Sequence, residues 1–217
     1  MTETVLPFQR ARKPEEQQLR REAILAAAAE LFDAEGPQGA GLNAIAAKAG
    51  FTKSNLYRYF ESREDVLLSL FLDEFTRFTI DIETRLAELD GGIKKIARVA
   101  ARTFESYPRL GALISILTTV LEQNVSEETV VNLKRASAEN VARIGKAIHD
   151  QLPKSQLDDC IWVAGMLGTV VAGMWPSAHP GTVAAEVLAR PEFAHLKPTI
   201  DRDLERVTRA LLKSIVD

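Results

Sequence analysis

The stretch from Leu42 to Glu64 reads LNAIAAKAGFTKSNLYRYFESRE and decides how the N-terminal part of the chain folds. Its apolar residues repeat at helical spacing until Gly50, which predicts a short helix that ends there. Thr52 is a good N-cap for a further helix that we expect to run to about Phe60. Two short helices joined through a glycine-containing turn are typical of a helix-turn-helix.

A longer helix is predicted before this stretch. Two acidic residues follow Pro14, a proline position and a charge pattern that both favour a helix start. The apolar face of this helix ends at Gly36 and Pro37. We expect residues 1–13 to be a flexible arm, either touching phosphates through its basic residues or serving as a plain solubilising tail.

The remainder of the chain is predicted to be helical as well. Ser62 and Asp65 form a variant capping box at the start of a long helix that continues to about Leu89. Further helices are expected near 93–106, 108–122, 126–151, 156–175, 181–189 and 199–216, with a break in the segment from Pro176 to Gly181. The predicted fold is all-α, with residues 14–61 as a three-helix bundle that contains the helix-turn-helix and residues 62–217 as a second helical bundle.

The run IAxxAGFTKSxLYxYFxSRE from Ile45 to Glu64 resembles the DNA-binding signature of the TetR family. The match covers roughly residues 20–68. The chain departs from the family pattern at Pro37, where an aromatic residue is usual, and at Ala40-Gly41, where two threonines are frequent. The resemblance implies a dimeric regulator that reads double-stranded DNA with its third helix.

The resemblance also implies roles for individual residues, and side-chain chemistry agrees with it. Base edges would be read by Lys53, Asn55 and Arg58, because asparagine can pair with adenine and arginine can donate two hydrogen bonds to guanine. The remaining contacts, mainly to phosphates, are expected from Asn43, Thr52, Ser54, Tyr57, Tyr59 and Arg63. For the two tyrosines, packing against the small bundle is the alternative, more so for Tyr59.

The second half of the chain is expected to hold an effector and to form the homodimer. In the family a ligand pocket lies in the C-terminal bundle, and the candidates to line one here are Phe104, Tyr107, Leu117, Leu121, Trp162, Met166 and Trp175. For each residue taken singly, plain core is the favoured alternative. The last two long helices pair between copies in the family, which makes Gly165, Gly168, Ala172, Leu204, Val207, Leu211 and Ile215 the dimer candidates.

The charge distribution and the amino-acid composition indicate which class of protein this is. The net charge of −3 is uneven: residues 48–63 carry four basic residues and one acid, whereas residues 64–217 carry 18 basic and 22 acidic residues. A local basic patch on an acidic body suits DNA binding at one end. Cys160 is the single cysteine, so a reducing cytoplasm is expected. The apolar run from Cys160 to Pro180 is interpreted as a buried helix and not as a membrane span.

Three hypotheses follow from the sequence. The first is a repressor that leaves a palindromic operator when a small, apolar or aromatic effector binds. The second is a ligand-independent dimeric DNA-binding regulator or activator. The third, an all-helical enzyme, lacks any nucleotide, metal or nucleophile motif, so neither catalysis nor a cofactor or metal is expected.

Overall fold

The computed structural model describes residues 14–216, so the expected arm at residues 1–13 lies outside the described residues. The chain forms two compact units that divide after Val66, a few residues beyond the boundary expected from sequence. The described residues contain helices and no strand, which confirms the all-α prediction.

The first unit contains α1 (Pro14–Gly39), α2 (Leu42–Lys48) and α3 (Lys53–Leu56), and α4 (Arg63–Ala87) begins in it. The regular part of α1 ends where the sequence predicted, because Gly36 has φ 70° and breaks the helix before Pro37. Gly50, with φ 74°, makes the turn between α2 and α3. The core of this unit consists of Ile24, Ala28, Phe32, Ile45, Leu56 and Phe60.

The second unit contains the rest of α4 and the elements that follow it. These are α5 (Ile93–Glu105), α6 (Pro108–Ile116), a 3₁₀ turn (Leu121–Asn124), α7 (Glu127–Gln151), α8 (Leu157–Ala178), α9 (Thr182–Leu188), a second 3₁₀ turn (Ala194–Leu196), a π-helical turn (Ile200–Leu204) and α10 (Glu205–Lys213). In this unit α8 is the central helix, since α6, α7 and α10 all pack against it.

Two predicted boundaries in the second unit were wrong. The helix expected to reach residue 122 ends at Ile116, just before Thr118, Thr119 and Val120, whose β-branched side chains are poor helix formers. The helix expected to end at residue 175 continues past Pro176 to Ala178, and the break follows within the expected segment from Pro176 to Gly181. Pro176 lies in the exposed last turn of α8, where a proline removes only one helical hydrogen bond.

The helix α8 has a buried face and an exposed face, although the sequence predicted a wholly buried helix. Its buried face consists of Cys160, Val163, Ala164, Leu167, Val171 and Trp175. The opposite face carries Trp162, Met166 and Gly173 at helical spacing, and 49% of Trp162 is exposed. By length and composition alone α8 could cross a membrane. In the structure it is instead the helix around which the second unit packs.

Close packing of α7 on α8 depends on one glycine. A Cβ atom at Gly145 would lie 2.6 Å from the Cα atom of Ile161. We expect Gly145→Ala to lower the free energy of unfolding by about 1–3 kcal/mol, because backbone must shift to admit the methyl group. A matched control is Gly165→Ala on α8, whose Cβ would meet Val141 at an ordinary 3.8 Å. The control should raise stability by up to about 1 kcal/mol through helix propensity.

Urea unfolding of the two variants and the parent checks this prediction. Equal stabilities for Gly145→Ala and Gly165→Ala would contradict the packing of α7 on α8 described above.

Candidate nucleic-acid interface and effector cavity

The turn into α3 is built by local hydrogen bonds that the sequence predicted. Thr52 accepts a hydrogen bond at its Oγ1 from the backbone N–H of Asn55, at 3.2 Å. The regular helix is short and ends at Leu56, but turn-like hydrogen bonds continue to Phe60, which donates to the Leu56 carbonyl at 3.1 Å. The side chains of Leu56 and Phe60 are buried and anchor this segment to the first unit.

The outer surface of this segment is polar and exposed. Thr52, Lys53, Ser54 and Arg58 are exposed, Tyr57 is 49% exposed, and Asn55 and Tyr59 are half-buried. The Lys53 ammonium lies 5.8 Å from the ring centroid of Tyr57. Within residues 14–216 no ion pair or hydrogen bond engages the guanidinium of Arg58. Its five donors are therefore available to a ligand.

Two basic residues of the predicted patch are engaged inside the first unit. Lys48 forms an ion pair with Glu30 at 2.7 Å. Arg63 donates from Nε to the Ala40 carbonyl at 3.1 Å and from Nη2 to the Pro37 carbonyl. Arg63 thus ties the start of α4 to the loop before α2, which makes it a positioning residue for the interface, whether or not it also contacts phosphate. Asn43 is exposed on α2.

The start of α4 is capped nearly as predicted. The Ser62 hydroxyl accepts a hydrogen bond from the Asp65 N–H at 3.0 Å. The Asp65 carboxylate in turn accepts from the N–H of Glu61, one residue before the cap, at 3.0 Å. Because the cap fixes where α4 begins, it also fixes the end of the α3 segment that precedes it.

A cavity of about 300 Å³ lies inside the second unit. Its walls are formed by α4, α5, α6, α7 and α8, and most of the lining is apolar. Four phenylalanines line it, with neighbouring ring centroids 5.6 Å apart for Phe71 and Phe75, 6.4 Å for Phe75 and Phe78, and 4.4 Å for Phe78 and Phe104. Ligand sites in proteins are typically cavities of this kind.

Only two of the seven residues expected to line a ligand pocket do so. Phe104 and Leu117 line the cavity. Of the others, Trp162 is exposed, Met166 is half-buried on the same side of α8, and Leu121 is buried outside the lining. The Tyr107 ring packs edge-on against Phe78, with 5.5 Å between the ring centroids, and does not line the cavity.

Trp175 is also part of the core. Its ring covers Gly111, where an added Cβ would lie 2.2 Å from the indole. Its other ring neighbour is His179, stacked at 4.0 Å between centroids. The residues that sequence reasoning missed are Phe71, Phe75 and Phe78, interpreted there as ordinary core, and Ser137, for which the sequence carried no signal.

The small residues of α8 face the cavity. Gly165, Gly168 and Ala172 line it. A Cβ at Gly168 would lie 3.5 Å from the Cδ1 of Ile114. These three dimer candidates therefore border the cavity, and the added Cβ at Gly168 would make only an ordinary contact. Of the other expected dimer residues, Leu204 is fully buried, Val207 and Leu211 on α10 are half-buried, and so is Ile215 in the turn after α10.

Cys160 is fully buried, as the sequence predicted for a small apolar residue. Burial is the main cause that raises the pKa of its thiol, and the Ser155 hydroxyl lies 3.0 Å from its sulfur. Within residues 14–216 no group of three or more histidine, cysteine, aspartate or glutamate side chains is placed to hold a metal ion.

Comparison with known families accounts for both units. Residues 24–70 match the family described as bacterial regulatory proteins, tetR family, and residues 72–214 match the tetracyclin repressor-like C-terminal domain. The chain belongs to the TetR family. TetR-family proteins are transcriptional regulators, so the exposed α3 segment is the helix-turn-helix of a DNA-binding protein, and the cavity lies in the regulatory domain.

Relatives of this TetR-family chain include two curated proteins that match it over part of their length. The fatty acid metabolism regulator protein of Bacillus subtilis is 31% identical over 81 residues, which are 37% of this chain and 42% of that protein. An HTH-type transcriptional regulator of Mycobacterium tuberculosis is 36% identical over 72 residues, 33% of this chain and 36% of that protein. The chain thus matches less than half the length of either relative.

Solved structures share the fold over nearly the whole chain. The fatty acid degradation regulator FadR of Bacillus halodurans has a TM-score of 0.56 and 17% identity, and the match covers 94% of this chain and 97% of FadR. SmeT, the repressor of a Stenotrophomonas maltophilia multidrug efflux pump, has a TM-score of 0.55 and 22% identity, with 93% of each chain covered. At these identities the likeness concerns the fold.

Proposed function

We propose that this protein is a repressor that binds a palindromic operator as a homodimer and is released by a small apolar or aromatic effector. The observation that carries the effector part is the phenylalanine-lined cavity of about 300 Å³ in the regulatory domain. A regulator whose C-terminal domain served only for dimerisation would have no need of this cavity. The cavity therefore favours the ligand-responsive hypothesis over the ligand-independent regulator or activator.

For DNA reading we propose that Arg58, Asn55 and Lys53 contact base edges. Arg58 is the best candidate, because it is exposed and its guanidinium is held by no other described side chain. We assign phosphate contacts to Ser54, Tyr57 and Tyr59, with Asn43 and Thr52 at the edge of the surface. Phosphate contacts set the position of the protein on the duplex, whereas base contacts supply specificity.

For dimerisation we propose the exposed α8 face, defined by Trp162, Met166 and Gly173. No charged residue occurs between Cys160 and Ala178, so this face presents apolar surface to water unless it is covered. In the same unit α10 packs on α8 and carries the half-buried Val207 and Leu211, and the half-buried Ile215 follows in the turn after α10. A second copy would cover both helices with a self-complementary surface.

For coupling we propose that α4 carries the response. Phe71, Phe75, Phe78 and Ile82 of α4 line the cavity. Its first residue, Arg63, holds the loop before α2. An effector that binds one arrangement of α4 better than another would shift the population of DNA-competent dimers, and by linkage DNA would weaken effector binding equally.

What is known of similar proteins agrees with an apolar effector. One structure of SmeT contains triclosan, and two similar proteins are described as regulators of fatty acid metabolism or degradation. We propose a cytoplasmic location, since the single cysteine is buried and reduced. The enzyme hypothesis gains no support, because the polar groups that line the cavity are few and contain no paired carboxylates or histidines.

The test of the effector proposal is a cavity-filling variant. In Gly168→Leu the new side chain would extend into the cavity, whereas Gly168→Ala leaves most of the volume open. We expect triclosan and naphthalene to raise the melting temperature of the parent and of Gly168→Ala, and to release both from DNA selected from a random pool. Gly168→Leu should keep its DNA affinity and lose both responses. Failure of both probes to bind the folded parent would contradict the effector proposal.

A further inference from the structure

One residue of the cavity lining has a buried hydroxyl without a partner. The Oγ atom of Ser137, on α7, is buried and makes no hydrogen bond. Other buried or half-buried hydroxyls on helices of the second unit bond to a carbonyl three or four residues back: Thr79 to Phe75, Thr103 to Val99, Ser115 to Ala112 and Thr208 to Leu204, at 2.7–2.8 Å. Leaving a buried hydroxyl unpaired costs about 1–3 kcal/mol.

The other polar residues of the lining are already engaged or lie at its edge. Lys134 forms an ion pair with Glu122 at 2.6 Å, and more than half of its side chain is exposed. Thr169 bonds back to the Gly165 carbonyl and is exposed, as is Thr118. These exposed residues lie at the mouth of the cavity, so Ser137 is the lining residue whose buried hydroxyl lacks a partner.

The charge at the mouth disfavours an anionic ligand. Lys134 is the only positively charged residue in the described lining, and the Glu122 carboxylate neutralises it. A carboxylate entering here would have to displace Glu122 and leave that half-buried acid unpaired. A neutral oxygen on the ligand, in contrast, can hydrogen-bond to a serine hydroxyl without such a penalty.

The volume and the lining of the cavity set the size and shape of the ligand that fits it. An engineered apolar cavity of about 150 Å³ accommodates benzene, and this cavity has about twice that volume. Two fused or linked six-membered rings therefore fit. The tilted rings of Phe71, Phe75, Phe78 and Phe104 offer both edges and faces for aromatic contact.

From these observations, and resting on the proposed function, we propose that the effector is a neutral two-ring aromatic compound whose single hydroxyl pairs with Ser137 Oγ. The pairing of this hydroxyl with Ser137 is what distinguishes the effector from other apolar molecules of similar size. The serine hydroxyl both donates and accepts, so a phenol satisfies it in either direction.

The test compares naphthalene, 2-naphthol and 2-naphthoate on the full-length dimer by isothermal titration calorimetry. The parent should prefer 2-naphthol to naphthalene, and Ser137→Ala should reduce that preference by roughly 3- to 10-fold, the range of a net neutral hydrogen bond. 2-Naphthoate should bind no better than 2-naphthol to either protein. Ser115→Ala is the control, because it removes a hydroxyl that already has a partner outside the lining.

A second readout does not depend on any ligand. Ser137→Ala should unfold at the same or a higher temperature than the parent, since it removes an unsatisfied group, whereas Ser115→Ala should not be stabilised. Binding of naphthalene with an unchanged 2-naphthol preference in Ser137→Ala would overturn the Ser137 inference and leave the effector proposal standing. Tighter binding of 2-naphthoate, or of the flexible alcohol 1-decanol, would overturn the neutral two-ring class. Failure of every probe would instead contradict the proposed function itself.

Discussion

Arg58→Ala is expected to cause the largest loss of DNA affinity of any single substitution in the first unit. A bidentate arginine–guanine contact contributes about 1–3 kcal/mol of discrimination, and a dimer makes it twice. The affinity for the preferred duplex should therefore fall roughly 30-fold to 20,000-fold. The fold should be unchanged, because Arg58 is exposed and its guanidinium forms no hydrogen bond or ion pair within residues 14–216.

The matched control is Lys48→Ala, which removes the same formal charge from the same unit. Lys48 is exposed and already paired with Glu30, so its loss should reduce affinity only a few-fold. Fluorescence anisotropy with duplexes that vary one base pair at a time measures both variants. Arg58→Ala should lose the preference for a particular base pair at defined positions of the duplex, and Lys48→Ala should keep it. A uniform weakening across all duplexes would instead assign Arg58 to a phosphate.

Trp162→Glu is expected to dissociate the dimer. An exposed tryptophan on an uncharged helix face has the character of an interface hot spot, for which truncation costs about 2 kcal/mol or more. A carboxylate at this position adds a desolvation penalty. Because the two copies in a symmetric dimer are equivalent, the loss of the tryptophan and the burial of the carboxylate each occur twice. The dimer dissociation constant should rise by at least about 100-fold, and affinity for an inverted repeat should fall with it.

Val183→Glu is the control for this prediction. Val183 is 76% exposed and lies on the short helix α9, which is not part of the exposed α8 face, so Val183→Glu introduces the same charge at an apolar residue outside that face. Sedimentation equilibrium should find Trp162→Glu monomeric at concentrations where the parent and Val183→Glu are dimeric. If Trp162→Glu remained dimeric, the exposed α8 face would not be the dimer interface.

The sequence predicted the helix-turn-helix well because its determinants are local. The Thr52 cap, the left-handed Gly50 and the Ser62 cap each act within four residues of chain, and each has the conformation or the hydrogen bond expected. The break at Gly36 is of the same kind. Helix caps and glycine breaks of this kind can be recognised in the sequence without knowledge of the tertiary structure.

Most of the cavity lining could not be predicted because it depends on packing between distant helices. Trp162 and Trp175 lie on the same helix, yet one is half-exposed and the other covers Gly111. Helical periodicity shows that residues share a face, but it does not show whether that face meets core, cavity or solvent. The small residues of α8 illustrate this, since they face α6 and α7 across the cavity.

The central claim is that the exposed α3 segment reads DNA sequence as part of a symmetric dimer. The most direct measurement is selection of bound duplexes from a random pool by the purified protein at moderate salt, followed by sequencing. We predict enrichment of an inverted repeat whose half-sites lie about one helical turn apart, centre to centre. Failure of the folded protein to enrich any sequence would contradict the claim.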